Sequence, residues 1–250
     1  MKLSLIIPAY NEEALIAECL KAIARAIEKS AAAKNHAIEI IVVNNASTDR
    51  TGEIARTFLQ VKVVDESRKG IVWARKAGFL ASSGHLIAGL DADTLLPIGW
   101  LDKVFTEFER DPRLLALSGP HIYYDAPLST RVSTKIFYGL GYIGNFFNGL
   151  FFNNRSMLQG GNYVVRREAL EKIGGYDTTI EFYGEDTDTG RRLAKIGKVK
   201  WTFALPMHTS GRRLKHEGLL TMGIKYAANY LSVTFLGKPV SKKYTDIRPK

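Results

Sequence analysis

The sequence predicts an α/β protein built on a mainly parallel sheet. Short apolar runs alternate with segments whose apolar residues recur every three or four positions, which is the pattern of strands followed by helices. Several of these runs end in Pro, Asn or Asp, residues that close a strand and begin a loop. The length of 250 residues, with 46% hydrophobic and 24% charged residues, suits a globular domain with a full core.

The first half of the chain contains a regular series of strands and helices. We expect strands at residues 3–7, 38–43, 61–64, 86–90 and 114–119. The first helix is the best defined, since one face carries Leu15, Ile16, Cys19, Leu20, Ile23 and Ile27. Ser47, Thr48 and Asp49 offer caps for the second helix, and further helices follow Gly70 and Gly99. Right-handed crossovers then flank the sheet with helices.

The regular order breaks after residue 120. Residues 121–156 form an aromatic-rich insertion, and a short strand at 163–165 follows Gly160-Gly161-Asn162. Helices are expected at 167–173 and from Glu185, and a last strand at 199–205. We therefore predict one domain over residues 1–210 and a basic, partly apolar extension over residues 211–250.

Positive charge is concentrated near the C-terminal end. The formal net charge is +10, and residues 212–250 carry nine Lys or Arg against Glu217 and Asp246, a net of +7. Such a segment favours an anionic partner, such as a membrane surface or a phosphorylated substrate, or is a solvated tail. No nucleic-acid-binding motif accompanies the charge, so we expect no nucleic acid partner.

The single cysteine and the N-terminal residues predict a cytoplasmic protein. Cys19 cannot form an internal disulfide, and its apolar neighbours predict a buried thiol. The N-terminus lacks the features of a signal peptide. The longest apolar stretch, residues 136–152, contains Asn145, Asn148 and four glycines and is shorter than a membrane span.

The most informative stretch is Asp91-Ala92-Asp93, at the end of the predicted fourth strand. Ligands of open α/β sheets bind at the carboxyl edge of the strands. Carboxylates at that edge suit a hard cation such as Mg²⁺ or Mn²⁺. A capped turn is the alternative, because Asp is a common turn residue.

Four motifs stand in one order along the chain. They are Ile6-Ile7-Pro8-Ala9-Tyr10-Asn11-Glu12-Glu13, Val42-Val43-Asn44-Asn45-Ala46-Ser47-Thr48-Asp49, Asp91-Ala92-Asp93, and Gly184-Glu185-Asp186 before a helix. Over about residues 3–210 the chain resembles family 2 of the glycosyltransferases, which has the GT-A fold. The resemblance implies transfer of a hexosyl group from a nucleotide-diphosphate sugar, with inversion at the anomeric carbon. It also implies Mg²⁺ or Mn²⁺ to neutralise the leaving diphosphate.

The resemblance implies roles for individual residues. Asp93 is the expected metal ligand, and His208 is a second candidate whose alternative is a structural role. Asp186 is the expected base for the acceptor hydroxyl, and its alternative is a partner of the helix dipole. The residues expected at the donor are Pro8, Tyr10, Glu12, Asn45, Lys69, Arg75 and Asp91. Those expected at the acceptor are Gly161, Asn162 and Glu185.

Departures from the family pattern bear on specificity. Asn44-Asn45 replaces the usual pair of carboxylates, which weakens a uracil assignment and leaves a donor of UDP or GDP type. Arg75-Lys76 replaces an Arg-Asn pair. The region after His208 lacks the Gln-x-x-Arg-Trp motif of processive enzymes, so we expect a single transfer. Arg212 and Arg213 in this region are candidates to hold donor phosphates.

The insertion and the extension bear on the acceptor. Tyr138, Tyr142 and Phe146 recur every four residues, which predicts a helix with an aromatic stripe. Such a stripe packs into the core or lies at a membrane interface, and flanking Lys135 and Arg155 fit the interface. With the basic extension, these features indicate a peripheral enzyme on the cytoplasmic face of a membrane. We expect a saccharide or lipid-linked acceptor, in cell-envelope or lipid-linked glycan synthesis.

Two other functions are alternatives. A nucleotidyltransferase shares an α/β nucleotide fold, but the loop after the first strand is acidic where that class has a Gly-rich basic loop. A non-catalytic sugar- or lipid-binding module with a decayed donor site is the second alternative, and Asn44 and Asn45 leave room for it.

Overall fold

A sheet of seven strands organises the protein, and a second sheet of three strands lies beside its carboxyl edge. The computed structural model describes residues 1–152, 155–180, 182–241 and 246. The strands are, in chain order, β1 (Lys2–Ala9), β2 (Ala37–Asn45), β3 (Val61–Glu66), β4 (Leu86–Leu90), β5 (Thr94–Leu95), β6 (Leu114–Ser118), β7 (His121–Tyr123), β8 (Asn162–Arg166), β9 (Lys198–Trp201) and β10 (Met207–Thr209).

The order of strands in the large sheet is β3-β2-β1-β4-β8-β6-β9. β8 runs antiparallel to β4 and β6, and every other neighbouring pair is parallel. This confirms the predicted mainly parallel sheet. The carboxyl ends of β1, β2 and β4 meet at one edge, and the register pairs Leu90 with Asn162, so β8 begins at the same edge.

Helices cover both faces of this sheet. They are α1 (Ile16–Lys29), α2 (Thr51–Arg56), α3 (Ile71–Ala81), α4 (Trp100–Arg110), α5 (Leu128–Phe152), α6 (Arg167–Lys172), α7 (Glu185–Ala194), α8 (Arg212–Glu217) and α9 (Leu219–Leu236). A short 3-10 helix at Ala32–Lys34 follows α1. The side chain of Asp49 stabilises the start of α2, because its Oδ1 accepts a hydrogen bond from the Thr51 N–H at 3.0 Å.

The sheet is buried on both faces because its strands carry apolar side chains in both directions. Leu5 and Ile7 pack with α1 and α4 in one core, which also contains Phe105. Ile6 and Val43 belong to the second core, on the face covered by α3, α6 and α7. Packing on both faces holds the strands in place relative to one another. It thereby positions the loops at the carboxyl edge.

The small sheet joins distant parts of the chain. β10 is its middle strand and pairs with β5 in antiparallel and with β7 in parallel orientation. The prediction of one last strand at 199–205 is wrong in extent, because β9 ends at Trp201 and a turn closed by Leu205 precedes β10. Pro206 follows that turn and lacks the N–H that a continuing strand would need.

The predicted insertion forms β7 and the long helix α5, and the predicted extension contains α8 and α9. Tyr138 is buried and stacks on Trp201 with ring centroids 5.9 Å apart, whereas Phe146 is exposed. The predicted aromatic stripe therefore divides between core and surface. α9 packs against α7, where Val233 lies beside Gly184. None of the described helices is long and apolar enough to span a bilayer.

Candidate active site

Five segments of the chain meet at the carboxyl edge of the large sheet. They are the loops after β1, β2 and β4, the turn before β8 and the N-terminus of α7. A cleft of about 1400 Å³ opens between them and continues between α5 and α9. Tyr10, Asp93 and Asp186 line its polar part, so the structure brings residues of the first, third and fourth motifs together.

Asp93 lies in a cluster of charged groups at the base of this cleft. Thr209 Oγ1 donates a hydrogen bond to Asp93 Oδ1 at 3.2 Å, and Arg212 Nη2 lies 3.1 Å from Asp93 Oδ2. Arg212 also donates to Oε1 of the buried Glu12. Burial raises the pKa of Asp93 to about 7, because desolvation, Asp91 and Glu12 together outweigh the attraction of Arg212.

His208 lies beside this cluster but on the other face of its strand. Successive side chains of a strand point in opposite directions, and the side chain that reaches Asp93 is Thr209. Burial lowers the pKa of His208, and nearby Arg131 lowers it further. The structure therefore does not bring the predicted second ligand to Asp93.

The residues around Asp93 suit a divalent cation that takes some of its ligands from a bound substrate. Among the described residues, no group of three or more His, Cys, Asp or Glu side chains is arranged to hold a metal ion by itself. Burial is the main cause of the raised pKa of Asp93, and the nearby carboxylates of Asp91 and Glu12 raise it further, so three acidic groups lie close together here. Mg²⁺ and Mn²⁺ commonly take one or two carboxylates and complete their shell with water and substrate phosphates.

Arg75 links the third and fourth motifs inside the protein. Its side chain is 1% exposed, and its Nη1 donates to Glu185 Oε1. Its Nη2 lies 3.9 Å from Asp91 Oδ1. Burial raises the pKa of Glu185 to about 7 despite this partner. Arg75 and Glu185, predicted at the donor and the acceptor, thus form a buried pair in the wall of the cleft.

Asp186 faces the cleft at the first turn of α7. The Gly160 N–H donates to its Oδ2 at 2.7 Å, and the Thr187 N–H donates to its Oδ1 at 2.7 Å. Each carboxylate oxygen can accept a second hydrogen bond. Asp186 is therefore fixed in orientation by the backbone and still able to accept a proton from a bound hydroxyl.

Gly161 allows the turn before β8 to lie directly against Asp91. Its φ is +76°, and a Cβ at this position would lie 2.1 Å from Asp91 Oδ2. Only glycine combines this backbone conformation with so close an approach. Gly161 was predicted to let the backbone approach the acceptor. In the structure it lets the backbone approach the carboxylate of Asp91.

Asn45, predicted to contact the donor, lines the cleft and also holds a neighbouring loop in place. Its Nδ2 donates to Arg68 O at 2.7 Å and to Glu66 O at 3.1 Å, and the Gly70 N–H donates to its Oδ1 at 2.8 Å. A carboxylate could not donate to two carbonyl oxygens. The departure from the family's acidic pair has this structural reason.

Asn44 departs from the family pattern for a related reason. Its Nδ2 donates to Asp65 Oδ1 at 2.9 Å on the neighbouring strand. A carboxylate at position 44 would face Asp65 with like charge, which is destabilising for directly opposite residues. The amide replaces that repulsion with a hydrogen bond.

Asn162 is fully buried beneath the cleft. Its Nδ2 donates to Leu205 O at 2.8 Å and to Pro120 O at 3.3 Å, and Trp100 Nε1 donates to its Oδ1 at 3.0 Å. These bonds join β8 to the turn before β10 and to α4. The structure thus places this residue, predicted at the acceptor, in the core rather than in the cleft.

Residues of the loop after β1, which were predicted at the donor, form one wall of the cleft. Pro8 and Tyr10 line the cleft, and Lys69 Nζ lies 3.9 Å from the centroid of the Tyr10 ring. Lys69 Nζ also lies 3.3 Å from Asp246 Oδ2. The geometry places one aromatic face and one cation at the end of the cleft formed by the loops after β1 and β3.

Sequence reasoning missed His121 and Thr209. His121 is 8% exposed and lines the cleft, and its Nε2 has no hydrogen-bond partner among the described residues. Burial lowers its pKa, which favours the neutral imidazole, and a neutral imidazole has one nitrogen that accepts a hydrogen bond. Its position just after the Gly119-Pro120 end of a buried strand was the available signal. No sequence signal pointed to Thr209, because its contact with Asp93 depends on the register of β10.

Comparison with solved structures reveals the same fold elsewhere. The mannosyltransferase PcManGT from Pyrobaculum calidifontis, in complex with GDP-Man and Mn²⁺, is 22% identical with a TM-score of 0.67 over 94% of this chain and 63% of that one. Glucosyl-3-phosphoglycerate synthase from Mycobacterium tuberculosis, with Mn²⁺, UDP-glucose and phosphoglyceric acid, is 20% identical with a TM-score of 0.62, covering 96% and 81%. These likenesses confirm the predicted GT-A fold.

Sequence comparison is more specific. The probable glycosyltransferase YdaM of Bacillus subtilis is 30% identical over 209 residues, which are 78% of this chain and 47% of YdaM. The chain thus spans under half the length of that relative. Residues 4–174 match the model of the family described as glycosyl transferase family 2. Since this match covers more than half of the chain and agrees with the fold and the meeting of the motifs, the protein belongs to glycosyl transferase family 2.

Proposed function

We propose that the protein transfers a sugar from a nucleoside-diphosphate sugar to an acceptor oxygen, with inversion and with the help of Mg²⁺ or Mn²⁺. The observation that carries this proposal is the meeting of Asp93 and Asp186 in one cleft at the carboxyl edge of the sheet. One carboxylate lies in a cluster suited to a cation, and the other is fixed by two backbone N–H groups. Transfer of a sugar to a hydroxyl needs both a site for the diphosphate and a base that accepts the hydroxyl proton.

In this reaction the acceptor oxygen forms a bond to the anomeric carbon on the side opposite the diphosphate. The bond from that carbon to the diphosphate oxygen breaks, and the electron pair leaves with the diphosphate. Asp186 takes the proton of an acceptor hydroxyl, whereas an ionised phosphate acceptor has no proton to give. Arg212 lies where a cation can meet the diphosphate, and Arg suits contacts to two oxygens.

The metal would be held by Asp93 and by the donor. Bound there, it would act as a Lewis acid that stabilises the charge of the leaving diphosphate. His208 as a further ligand stays a prediction that this arrangement of β10 does not favour. Two solved structures of the same fold contain Mn²⁺ together with a nucleotide sugar, which supports a divalent metal here.

The donor is of UDP or GDP type. Neighbours of the same fold are described in complex with GDP-Man, with UDP-glucose and with UDP-GlcNAc. Asn45 is engaged in holding the loop before α3, so base recognition falls to other residues of the cleft. Pro8, Tyr10 and Lys69 are the candidates with surface in the cleft.

The acceptor is a saccharide or a lipid-linked molecule, and the enzyme acts once per acceptor as a peripheral protein on the cytoplasmic face of a membrane. Exposed apolar side chains on α5 and α9 support the membrane contact. Arg131 and Lys135, both exposed near the start of α5, would face anionic head groups.

A thermal-shift screen of nucleotide sugars with and without Mn²⁺ tests this proposal, followed by analysis of the released nucleotide. We expect one UDP- or GDP-sugar to stabilise the protein in the presence of Mn²⁺ and to yield the nucleoside diphosphate. Release of pyrophosphate from a nucleoside triphosphate would instead favour a nucleotidyltransferase. Binding of a donor without any turnover would favour a non-catalytic module.

A further inference from the structure

Exposed apolar surface is concentrated on two helices. Of the twenty-five large hydrophobic side chains that are exposed in the described residues, eleven lie on α5 and six on α9. Leu140 and Leu220 are 65% and 77% exposed. A soluble protein rarely leaves so many apolar side chains together on its surface unless something covers them.

These two helices also form the apolar part of the catalytic cleft. Phe137 and Leu140 of α5, and Leu220 and Ile224 of α9, line it. None of the residues that α5 and α9 contribute to the cleft is charged. Sites for water-soluble sugars need polar groups placed to fix orientation, and this part of the cleft offers mainly hydrocarbon.

The apolar part is continuous with the polar part. The same cleft that runs between α5 and α9 contains Asp186 and His121. A molecule lying along the two helices would therefore present one end to the fixed carboxylate of Asp186. A long apolar chain with a reactive head has this shape.

Charge is distributed to match a membrane. Helix α5 contains the exposed Arg131 and Lys135 and no acidic residue, whereas the one lysine of α9, Lys225, pairs with Glu217 of α8 at 2.6 Å. Basic groups beside an apolar helix face favour an anionic lipid surface. A second copy of this chain would bring the same positive groups against each other.

We propose that the acceptor is a membrane amphiphile whose hydrocarbon chain lies between α5 and α9 and whose hydroxyl or phosphate oxygen lies at Asp186. This inference rests on the proposed glycosyl transfer and names the class of its acceptor. It explains why the exposed apolar face and the catalytic cleft share the same two helices.

Chain length is the variable that tests this inference. Labelled sugar transfer would be measured from the donor to a long-chain polyprenyl phosphate, a long-chain polyprenol, and their short-chain analogues with the same heads, all in detergent micelles. We expect kcat/KM to rise by about tenfold or more from the short to the long chain, since added apolar contacts in a pocket give gains of this size. Comparison of the phosphate with the alcohol shows whether a phosphate oxygen or a hydroxyl oxygen is the nucleophile.

Two glycines of α5 offer a matched pair of variants. A Cβ added to Gly139 or to Gly144 meets no atom within 4 Å, but only Gly144 lines the cleft. Gly144→Phe should fill the groove and lower kcat/KM for the long-chain acceptor by about tenfold. Gly139→Phe on the same helix should leave it unchanged.

Release of the nucleoside diphosphate separates the two proposals. If it is absent for all donors, with water alone and with every acceptor tested, the proposed function fails. If it occurs and short-chain acceptors or soluble saccharides serve as well as the long chain, the amphiphile is wrong. A stable dimer that transfers sugar to soluble acceptors only, and is unaffected by phosphatidylglycerol vesicles, would show that a second copy covers α5 and α9.

Discussion

The guanidinium of Arg212 lies 3.1 Å from Oδ2 of Asp93 and also donates to Glu12 Oε1. One side chain from the predicted extension thus holds carboxylates from the first and third motifs. A bound diphosphate would offer Arg212 a more strongly charged partner than either carboxylate. We therefore expect Arg212 to move toward the donor when cation and donor bind.

Asp93→Asn should lower transfer by about a hundredfold or more, because a metal contributes several kcal/mol to stabilisation of the leaving group. The variant should fold normally, since Asp93 is crowded by Asp91 and Glu12 and loses a desolvated charge. Steady-state assays with saturating Mn²⁺ measure the effect, and a chelator should abolish the wild-type activity. Glu53→Gln, which removes an exposed carboxylate on α2, is the control. Full activity of Asp93→Asn would refute the metal assignment.

Asp186→Asn should lower kcat for a hydroxyl acceptor by about 10² to 10⁴, the usual contribution of a positioned base. Donor affinity should hardly change, because Asp186 is bound by Gly160 and Thr187 and takes no part in the contacts of Asp93 with Thr209 and Arg212. Pre-steady-state transfer and donor titration separate the two quantities. With a phosphate acceptor the loss should be much smaller. An unchanged kcat with a hydroxyl acceptor would exclude Asp186 as the base.

Arg75→Met should lower the free energy of unfolding by about 3–5 kcal/mol, because it leaves the buried Glu185 carboxylate without its partner. Urea denaturation measures this loss. Adding Glu185→Leu to Arg75→Met should restore part of the stability, since no charge then remains buried there. Arg50→Met, which breaks an exposed pair with Glu53, should cost about 1 kcal/mol or less. Equal effects of the two Arg variants would contradict the buried pair.

Asn45→Asp recreates the family's carboxylate and should destabilise the protein by about 1–3 kcal/mol. The carboxylate would face Arg68 O and Glu66 O, to which Asn45 donates. Thermal denaturation gives the stability, and KM values for UDP- and GDP-sugars give the base preference. A stable variant with an altered preference between the two bases would place Asn45 at the donor after all.

Cys19 should resist alkylation in the native protein. Burial raises the pKa of its thiol to about 12, so the reactive thiolate is scarce at pH 8 and the sulfur is inaccessible. Titration with a thiol reagent, with and without urea, checks this. Labelling of the native protein at the rate of a free thiol would contradict the packing of α1 against the sheet.

The parts of the fold that the sequence predicts are those set by local pattern. β1 to β4 and α1 follow from apolar periodicity, which is visible in a few consecutive residues. The Asp-x-Asp stretch was placed correctly because the end of β4 is marked by the switch from apolar to acidic residues. The meeting of the motifs then follows from the parallel sheet, whose carboxyl ends share one edge.

The parts that escape prediction depend on partners far away in the chain. Arg75 and Glu185 are separated by 110 positions, and nothing near either residue indicates a buried pair. The choice of Thr209 over His208 depends on which face of β10 turns toward Asp93. Asn45 holds the loop before α3 by donating to the carbonyl oxygens of Glu66 and Arg68, and the sequence does not indicate where those carbonyl groups lie.

The contacts of Arg212 and Thr209 also determine at what stage of translation the Asp93 cluster can form. Thr209 and Asp93 are 116 positions apart, and Arg212 and Glu12 are 200 apart. β1 to β4 can pair soon after they leave the ribosome, but the Asp93 cluster is complete only when residue 212 has emerged. Long separations of this kind slow assembly because loop closure precedes the contacts that reward it. A nascent chain should therefore form the first part of its sheet before it can hold a nucleotide sugar, and donor binding would report that the chain has folded at least as far as Arg212.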